Sequence, residues 1–480
     1  MQLLSEANCN IILNNNFVGV EAPLLYVDIG GKTNIKVLTF GLSREFGALA
    51  QGCTIRIPNV DPVNPIDTGY YNQQRDATDY NKPANEFADI IQPGALVTVK
   101  TGYGDSNTVD TVQVFIGTID TVKAKFGSNG EATITILCRG KSKKTVESTI
   151  FRTITTTGAI GYWINYPITS TVTEFYLKYA DTNPYLYEIW VDACMRSGYA
   201  EVDLDWDTTW TTRQSNCDGD AFKMCTGTWM DLAQKVADIL GAYMYEDEDG
   251  KMNLKVANNQ VNAGNDTLTL NGTTYTTLED GGYARAIYES IEVTNWMSTE
   301  YTRADWDFDY ASNSIRRSAG SSIGDGEEII VTYTYCAWVF RPKTLFGIEQ
   351  IVSHDDMYGR IVATNEELKL VSSTTLDALG DGSALSTNKT LIEDVPEYVN
   401  QTQLDAYTAA KRLEMRKHYF NVSLDCVAVP HLRVRDIICP LLWGTVTGLY
   451  EITGFSLDFD AETGLEMTIE AVYYGSSGVY

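Results

Sequence analysis

The last sixty or so residues hold the text that most restricts the fold. After the turn Asp460-Ala461-Glu462-Thr463-Gly464, the residues Leu465, Met467, Ile469 and Ala471 alternate with Glu466, Thr468 and Glu470. A period of two puts one set on a buried face and the other on a wet face of a strand; a helix brings together residues three and four apart and cannot use this pattern. The same text occurs nearer the start: Thr54-Ile55-Arg56-Ile57, Ala95-Leu96-Val97-Thr98-Val99-Lys100, the run 112–125, and Ala132-Thr133-Ile134-Thr135-Ile136-Leu137. Pro93-Gly94, Gly102-Tyr103-Gly104-Asp105 and Gly127-Ser128-Asn129-Gly130 separate these runs as hairpin turns do, so a small antiparallel barrel or sandwich is expected. The Pro- and Asn-rich stretch 58–83 interrupts it as a long surface loop. Further strands are expected over 419–428, 434–439, 450–459 and 465–473. With 53 Thr and 29 Tyr, residues that suit pleated surfaces, the chain reads as mainly β with a smaller α/β part.

Helix signals concentrate in the middle third. Asn183 stands at an N-cap position and Pro184 at the first helical position; Leu186, Ile189, Trp190 and Ala193 follow on one face, and Gly198 lies past the end. A second helix opens on Thr228 and Asp231, a capping-box pair, buries Leu232, Val236, Ile239 and Leu240, and stops at Gly241. Ala242-Tyr243-Met244-Tyr245 and Met252-Asn253-Leu254-Lys255-Val256 then flank a turn ending Asp249-Gly250, which makes a hairpin. A third helix is expected from Thr402 to about His418, opened by Thr402 and Asp405. Residues 257–285 and 372–390, rich in Asn, Gly, Ser and Thr, read as loops or inserted hairpins at seams.

A chain of 480 residues is long enough for about three domains, each with its own core. Its 63 acidic and 36 basic residues leave a net charge of −27, which argues against duplex binding and against an anionic membrane surface, since both need Lys and Arg. No apolar run approaches the ~18 residues of a membrane span, and no basic-then-apolar leader opens the sequence, so no secretion signal is expected. Nine Cys at 9, 53, 138, 194, 217, 225, 336, 426 and 439 contain no C-x-x-C pair and are expected reduced, with Cys138, Cys336 and Cys426 buried in strands.

Several short motifs invite chemistry. Gly320-Ser321-Ser322-Ile323-Gly324 has the spacing of a nucleophile elbow, but strand-like text follows it where a helix is needed. His354, His418 and His431 are too few and too scattered to build a proton-transfer or metal site. Gly30-Gly31-Lys32-Thr33 ends like a phosphate loop, yet Tyr26 stands where the first Gly belongs. Asp247-Glu248-Asp249-Gly250 starts like a calcium loop and runs straight into a strand. No catalytic residue, cofactor or metal is expected. Asp305-Trp306-Asp307-Phe308-Asp309-Tyr310 places three carboxylates on one strand face and three aromatics on the other. On an exposed strand, i and i+2 carboxylates lack the opposed arrangement of a glycosidase pair.

Three stretches, Val114-Phe115-Ile116-Gly117-Thr118-Ile119-Asp120, the helix and hairpin over 228–256, and the segment 430–474, together resemble the tail hub (baseplate hub) proteins of tailed bacteriophages and contractile injection systems. The last of these runs through Val434-Arg435-Asp436-Ile437-Ile438-Cys439 and Gly448-Leu449-Tyr450-Glu451-Ile452. The resemblance covers about half the chain and implies two tube-like antiparallel β-barrel domains with a central helix-hairpin domain. The division then expected is 1–150 and 286–480 for the tube-like domains, the second with an insertion near 372–390, and 151–285 for the central α/β domain.

The resemblance further implies a virion structural protein assembled in the host cytoplasm: a homotrimer joining a six-fold tail tube to a three-fold tip. Its partners would be the tail tube protein, distal tail or baseplate proteins and a central spike or tip protein. Genomic DNA would pass through without specific binding, and no membrane is involved. In such a hub Asp305, Asp307 and Asp309 are the candidate acidic row facing the lumen or a polar interface. The competing readings are a tail-tip enzyme degrading cell-wall polymer and a peripheral receptor-binding baseplate protein.

Overall fold

The computed structural model describes residues 23–45, 51–59, 90–104, 109–126, 132–148, 153–154, 160–161, 186–206, 227–240, 242–256, 263–278, 285–352, 358–376, 389–395, 401–417, 420–442, 445–446, 448–461 and 464–475. Six strands come first: β1 (Pro23–Ile29), β2 (Thr39–Glu45), β3 (Gly52–Pro58), β4 (Leu96–Gly104), β5 (Val109–Phe126) and β6 (Ala132–Gly140). They lie antiparallel in the order β1-β4-β5-β6-β3-β2. The expected alternation is realised: Ile55, Ile57, Val97, Val99, Ile134 and Ile136 are fully buried. The turn over 127–130 and most of the 58–83 loop lie outside the described residues.

Next comes a compact α/β unit built from α1 (Leu186–Arg196), β7 (Leu204–Trp206), α2 (Trp229–Leu240), β8 (Ala242–Glu246) and β9 (Met252–Val256). Its sheet runs β8-β9-β7, and its core holds Trp190, Leu232, Val236, Met244 and Leu254. The capping box at α2 is reciprocal: Thr228 N–H donates to Asp231 Oδ2 (2.7 Å) and Asp231 N–H to Thr228 Oγ1 (3.1 Å). Helix α1 ends as Gly198, with φ +110°, sends its N–H to Met195 O while Tyr199 N–H bonds Cys194 O. Asn183, Pro184 and Gly241 lie outside the described residues.

A second β-unit follows: β10 (Ala263–Leu270), β11 (Glu292–Asn295), β12 (Trp306–Asp309), β13 (Ser314–Arg317) and β14 (Glu327–Cys336). Strand β14 pairs with both β10 and β11, and β12 with β13, around Leu270, Val293, Trp306, Ile315 and Val331. Part of the 257–285 stretch, expected as loops or inserted hairpins, is strand, paired with β14. The buried apolar side chains of β10 are Leu268 and Leu270, with Gly264 and Asp266 buried too and Asp266 accepting Tyr333 Oη (3.0 Å), so its text looks polar. Pairing of β10 with β14 also ties together residues on both sides of the expected boundary at 285/286.

Strands β15 (Trp338–Phe340) and β16 (Leu345–Val352) lead to a small unit in which β17 (Arg360–Asn365) lies between β18 (Leu370–Thr375) and β19 (Thr390–Asp394), packed by α3 (Gln401–Lys417). The 372–390 stretch thus begins and ends in strand, with 377–388 outside the described residues. Asp405 does not cap with Thr402. It accepts from Ser372 Oγ (2.6 Å) and Gln401 Nε2 (2.8 Å), tying the helix to the sheet.

The chain finishes with β20 (Phe420–Val427), β21 (Ile437–Leu442), β22 (Leu449–Asp460) and β23 (Gly464–Gly475). These do not make a separate barrel. Strand β2, already paired with β3, also pairs with β22, Phe40 opposite Phe459 and Leu42 opposite Leu457. The result is a single thirteen-stranded sheet among the described residues, running β1-β4-β5-β6-β3-β2-β22-β23-β20-β16, with β15, β21 and the two-residue strand Thr445–Val446 attached. One hydrophobic core spans both ends of the chain. The buried Tyr103 hydroxyl on β4 reaches across it to Ala428 O (2.8 Å). Where two barrels were expected, burial on both sides of β2 is satisfied by a shared sheet.

Candidate assembly site

The most densely built polar site lies where the β8–β9 hairpin of the α/β unit meets the large sheet. It begins with a sequence oddity: Phe40, Leu42 and Arg44 share the inward face of β2, so the third side chain of a buried series is a cation. Arg44 is 7% exposed, donates through Nη2 to Val114 O, and lies 3.7 Å from Glu248 Oε2. Burial lowers its pKa to about 10. Glu248, in the hairpin turn, also pairs with Arg433.

The hairpin is seated by neutral donors as well. The Glu246 carboxylate accepts Lys141 N–H (2.6 Å), Ser142 N–H (3.2 Å) and Ser142 Oγ (2.5 Å). Gln113 Nε2 donates to Glu248 O (3.1 Å) and Asp249 Oδ1 (2.9 Å), and Gln51 bonds Glu246 O. Gly140 is required here: a Cβ on it would lie 2.3 Å from Glu246 Oε2. Desolvation raises the Glu246 pKa against the pull of these hydrogen bonds.

The segment 430–436 closes the site. Arg435 holds φ +77°, a left-handed conformation that is strained for a side chain of its size. That backbone is fixed by Arg435 N–H to Ile452 O (2.7 Å), and it sets the guanidinium 4.1 Å over the Tyr243 ring and 3.0 Å from Glu451 Oε1. Beside it Asp436 accepts Arg433 N–H (2.9 Å), and burial pushes its carboxyl up to about 7. The expected strand over 434–439 begins only at Ile437, because Arg435 and Asp436 serve this junction.

The residues singled out from sequence lie elsewhere. Asp305 precedes β12 in a turn; its carboxylate accepts Ser322 Oγ and N–H (both 2.7 Å) and Thr302 Oγ1 (2.7 Å) and N–H (2.9 Å), which hold its pKa well below the usual carboxylate range. Asp307 pairs with Arg316 (3.2 Å), and Asp309 accepts Ala311 N–H and Ser312 Oγ. Trp306 and Tyr310 face the core as the alternation predicts, so these acids lie on the outer side.

Ser322 bonds Asp305 on a loop between two strands, not on a strand-to-helix elbow. Gly30 and Gly31, with φ +56° and +88°, turn the chain between Ile29 and Lys32 rather than cradle an anion. Asp247 accepts Asp249 N–H (3.0 Å) and Lys251 N–H (2.8 Å), the internal bonds of a hairpin turn. Among the described residues no cluster of His, Cys, Asp or Glu suits a metal ion, and no helix is long and apolar enough to cross a membrane.

Sequence reasoning missed the junction. Its one legible signal was an arginine in phase with Phe40 and Leu42; the partners come from segments 70 to about 400 residues away.

No family profile matches the sequence, and no curated protein matches it. Solved structures do. The tail protein from Neisseria meningitidis MC58 aligns with a TM-score of 0.51 at 8% identity, over 96% of this chain and 100% of that one. The 43 kDa tail protein of prophage MuSo2 from Shewanella oneidensis aligns at 0.50 and 11% identity, over 94% and 98%. At such identities the likeness is one of fold, and at that level the expected resemblance to phage tail proteins holds.

Proposed function

We propose that the chain is a virion structural protein of a phage-type tail, acting as a trimeric hub between tail tube and tip. The observation that carries this is the single sheet shared by the two ends of the chain, in a fold common to two tail proteins over nearly their whole length. Two β-regions per subunit would give a trimer six similar units, matching a six-fold tube to a three-fold tip. Each subunit brings −27, a field suited to letting DNA slide by without sticking. Asp305, Asp307 and Asp309 enter as an outward acidic strip on such a passage or a polar interface. Asp307→Lys should then slow genome ejection with assembly mass unchanged, and an unaltered ejection rate argues against the strip. Catalysis is not part of this reading, since Ser322 lacks an elbow and its hydroxyl is committed to Asp305. Light scattering of the purified chain tests the hub: a mass of about 160 kDa, three times 53.3 kDa, is expected. A monomer at tens of micromolar refutes it.

A further inference from the structure

The junction holds more acid than base. Three arginines, Arg44, Arg433 and Arg435, meet four carboxylates, of which Glu246, Glu248 and Glu451 are buried and Asp436 is half-buried, while Asp247 and Asp249 stand at the rim. The pairing is uneven. Glu248 takes Arg44 and Arg433, and Glu451 takes Arg435. Glu246 and Asp436 are in no ion pair among the described residues; neutral N–H and O–H groups are what they accept from. An ionised carboxylate desolvated without a counter-charge is costly, and the least costly remedy is a proton.

We propose that seating the β8–β9 hairpin in this socket takes up protons on Glu246 and Asp436, so that the α/β unit is latched to the large sheet more tightly in mildly acidic than in alkaline medium. Other charged groups face the socket. From β2 come Arg44 and, at the rim, Glu45; from 141–142 comes Lys141, whose ammonium is drawn toward Asp203 (3.9 Å). The turn adds Lys251 beside Asp247, the 430–436 segment adds His431, and β22 supplies Glu451. Three tyrosines, Tyr243, Tyr245 and Tyr474, complete the wall; burial raises Tyr245 and Tyr474 to about 12, so both stay neutral throughout the range concerned.

Both key carboxyls are raised on burial, Asp436 to about 7. The seated state therefore binds more protons than the unseated one. Its advantage is complete near the ordinary carboxylate pKa and is lost as pH rises through the raised values. For Asp436 alone, moving from pH 5.5 to pH 8 should weaken seating roughly 30-fold. The inference rests on the junction within one chain and does not depend on the hub reading.

Hydrogen exchange of the intact protein tests it, read at the amides of Lys141, Ser142 and Arg433, which donate into the two carboxylates, and corrected for intrinsic exchange rates. Wild-type protection there should fall by roughly 30-fold or more from pH 5.5 to 8, and in the Glu246→Gln, Asp436→Asn double variant it should become independent of pH. Amides of β17, which pairs with β18 and β19 outside the large sheet, serve as control. Protection that is flat or rises with pH in the wild type overturns the latch, as does a dependence that survives in the variant. If the double variant does not fold, Asp436→Asn alone decides: its slope must be shallower than that of the wild type.

Discussion

Gly117 offers the sharpest test of how tightly the large sheet is built. It lies in the β5 stretch whose text resembles a tube-domain strand, opposite Val97 on one side and Gly140 on the other. A Cβ at this position would sit 2.2 Å from Arg139 O, 2.6 Å from Phe115 Cζ and 2.8 Å from Arg139 C. Ordinary contact needs more than 3.4 Å, so Gly117→Ala must push the β6 backbone away by about 1 Å and shift the fully buried Phe115. Overpacking of this kind costs about 1–3 kcal/mol, and straining the adjacent ladder bonds adds about 1. A total of about 2–4 kcal/mol, with a urea slope of about 2 kcal/mol/M, lowers the midpoint of the β-sheet circular-dichroism transition by roughly 1–2 M. Gly52→Ala is the matched control. Its Cβ would meet Cys138 O at 3.7 Å, and its φ is not in the left-handed region, so the change should be neutral or stabilise slightly. A Gly117→Ala midpoint within about 0.3 M of wild type, or a Gly52→Ala loss of the same size, would refute the argument from close approach.

Two further outcomes follow from the described contacts. Glu451→Ala strands the Arg435 guanidinium, both side chains being under 10% exposed, and should cost about 3–5 kcal/mol in thermal unfolding, part of it regained when Arg435→Met is added. Because hydrogen bonds from Ser322 and Thr302 hold Asp305 below its ordinary pKa, its contribution is present above about pH 4 and lost as pH falls through the lowered value. Exchange at Ser322 N–H should therefore accelerate on acidification in the wild type, and Asp305→Asn should flatten that response.

The alternating strands were legible because one face is buried and the other wet, as in β6 and β23, where Ala132, Ile134, Ile136 and Cys138, and Leu465, Met467, Ile469, Ala471 and Tyr473, point inward. The α2 capping box was legible because four residues settle it locally. What escaped was non-local or disguised. Strand β10 hides its two inward leucines among Asn, Asp and Thr, and β17–β19 have a core so small that it amounts to Ala363 and Leu404 with a few half-buried neighbours. The junction needed segments far apart in sequence, around residues 44, 113, 141, 246, 433 and 451, and no short window contains more than a part of it. The acidic stretch 305–309 drew attention for its spacing. Its carboxylates proved to be occupied by a loop, an arginine and a turn, which periodicity alone does not reveal.

Strand β2 has a consequence for how the molecule is made. One of its two neighbours, residues 454–460, is synthesised some 415 residues after it. At roughly 5–20 residues per second a ribosome needs about 20–80 s to deliver that neighbour. During this interval the row of N–H and C=O groups from Thr39 to Glu45 has no native mate, and Phe40 and Leu42 lack half their cover. A nascent chain stalled anywhere in between presents a sticky seam, whereas one extended beyond residue 460 can close it. Placing the stitch between β-regions so far apart in sequence makes synthesis past residue 460 a condition for hiding this seam, so copies halted before it are the ones a chaperone or protease can recognise.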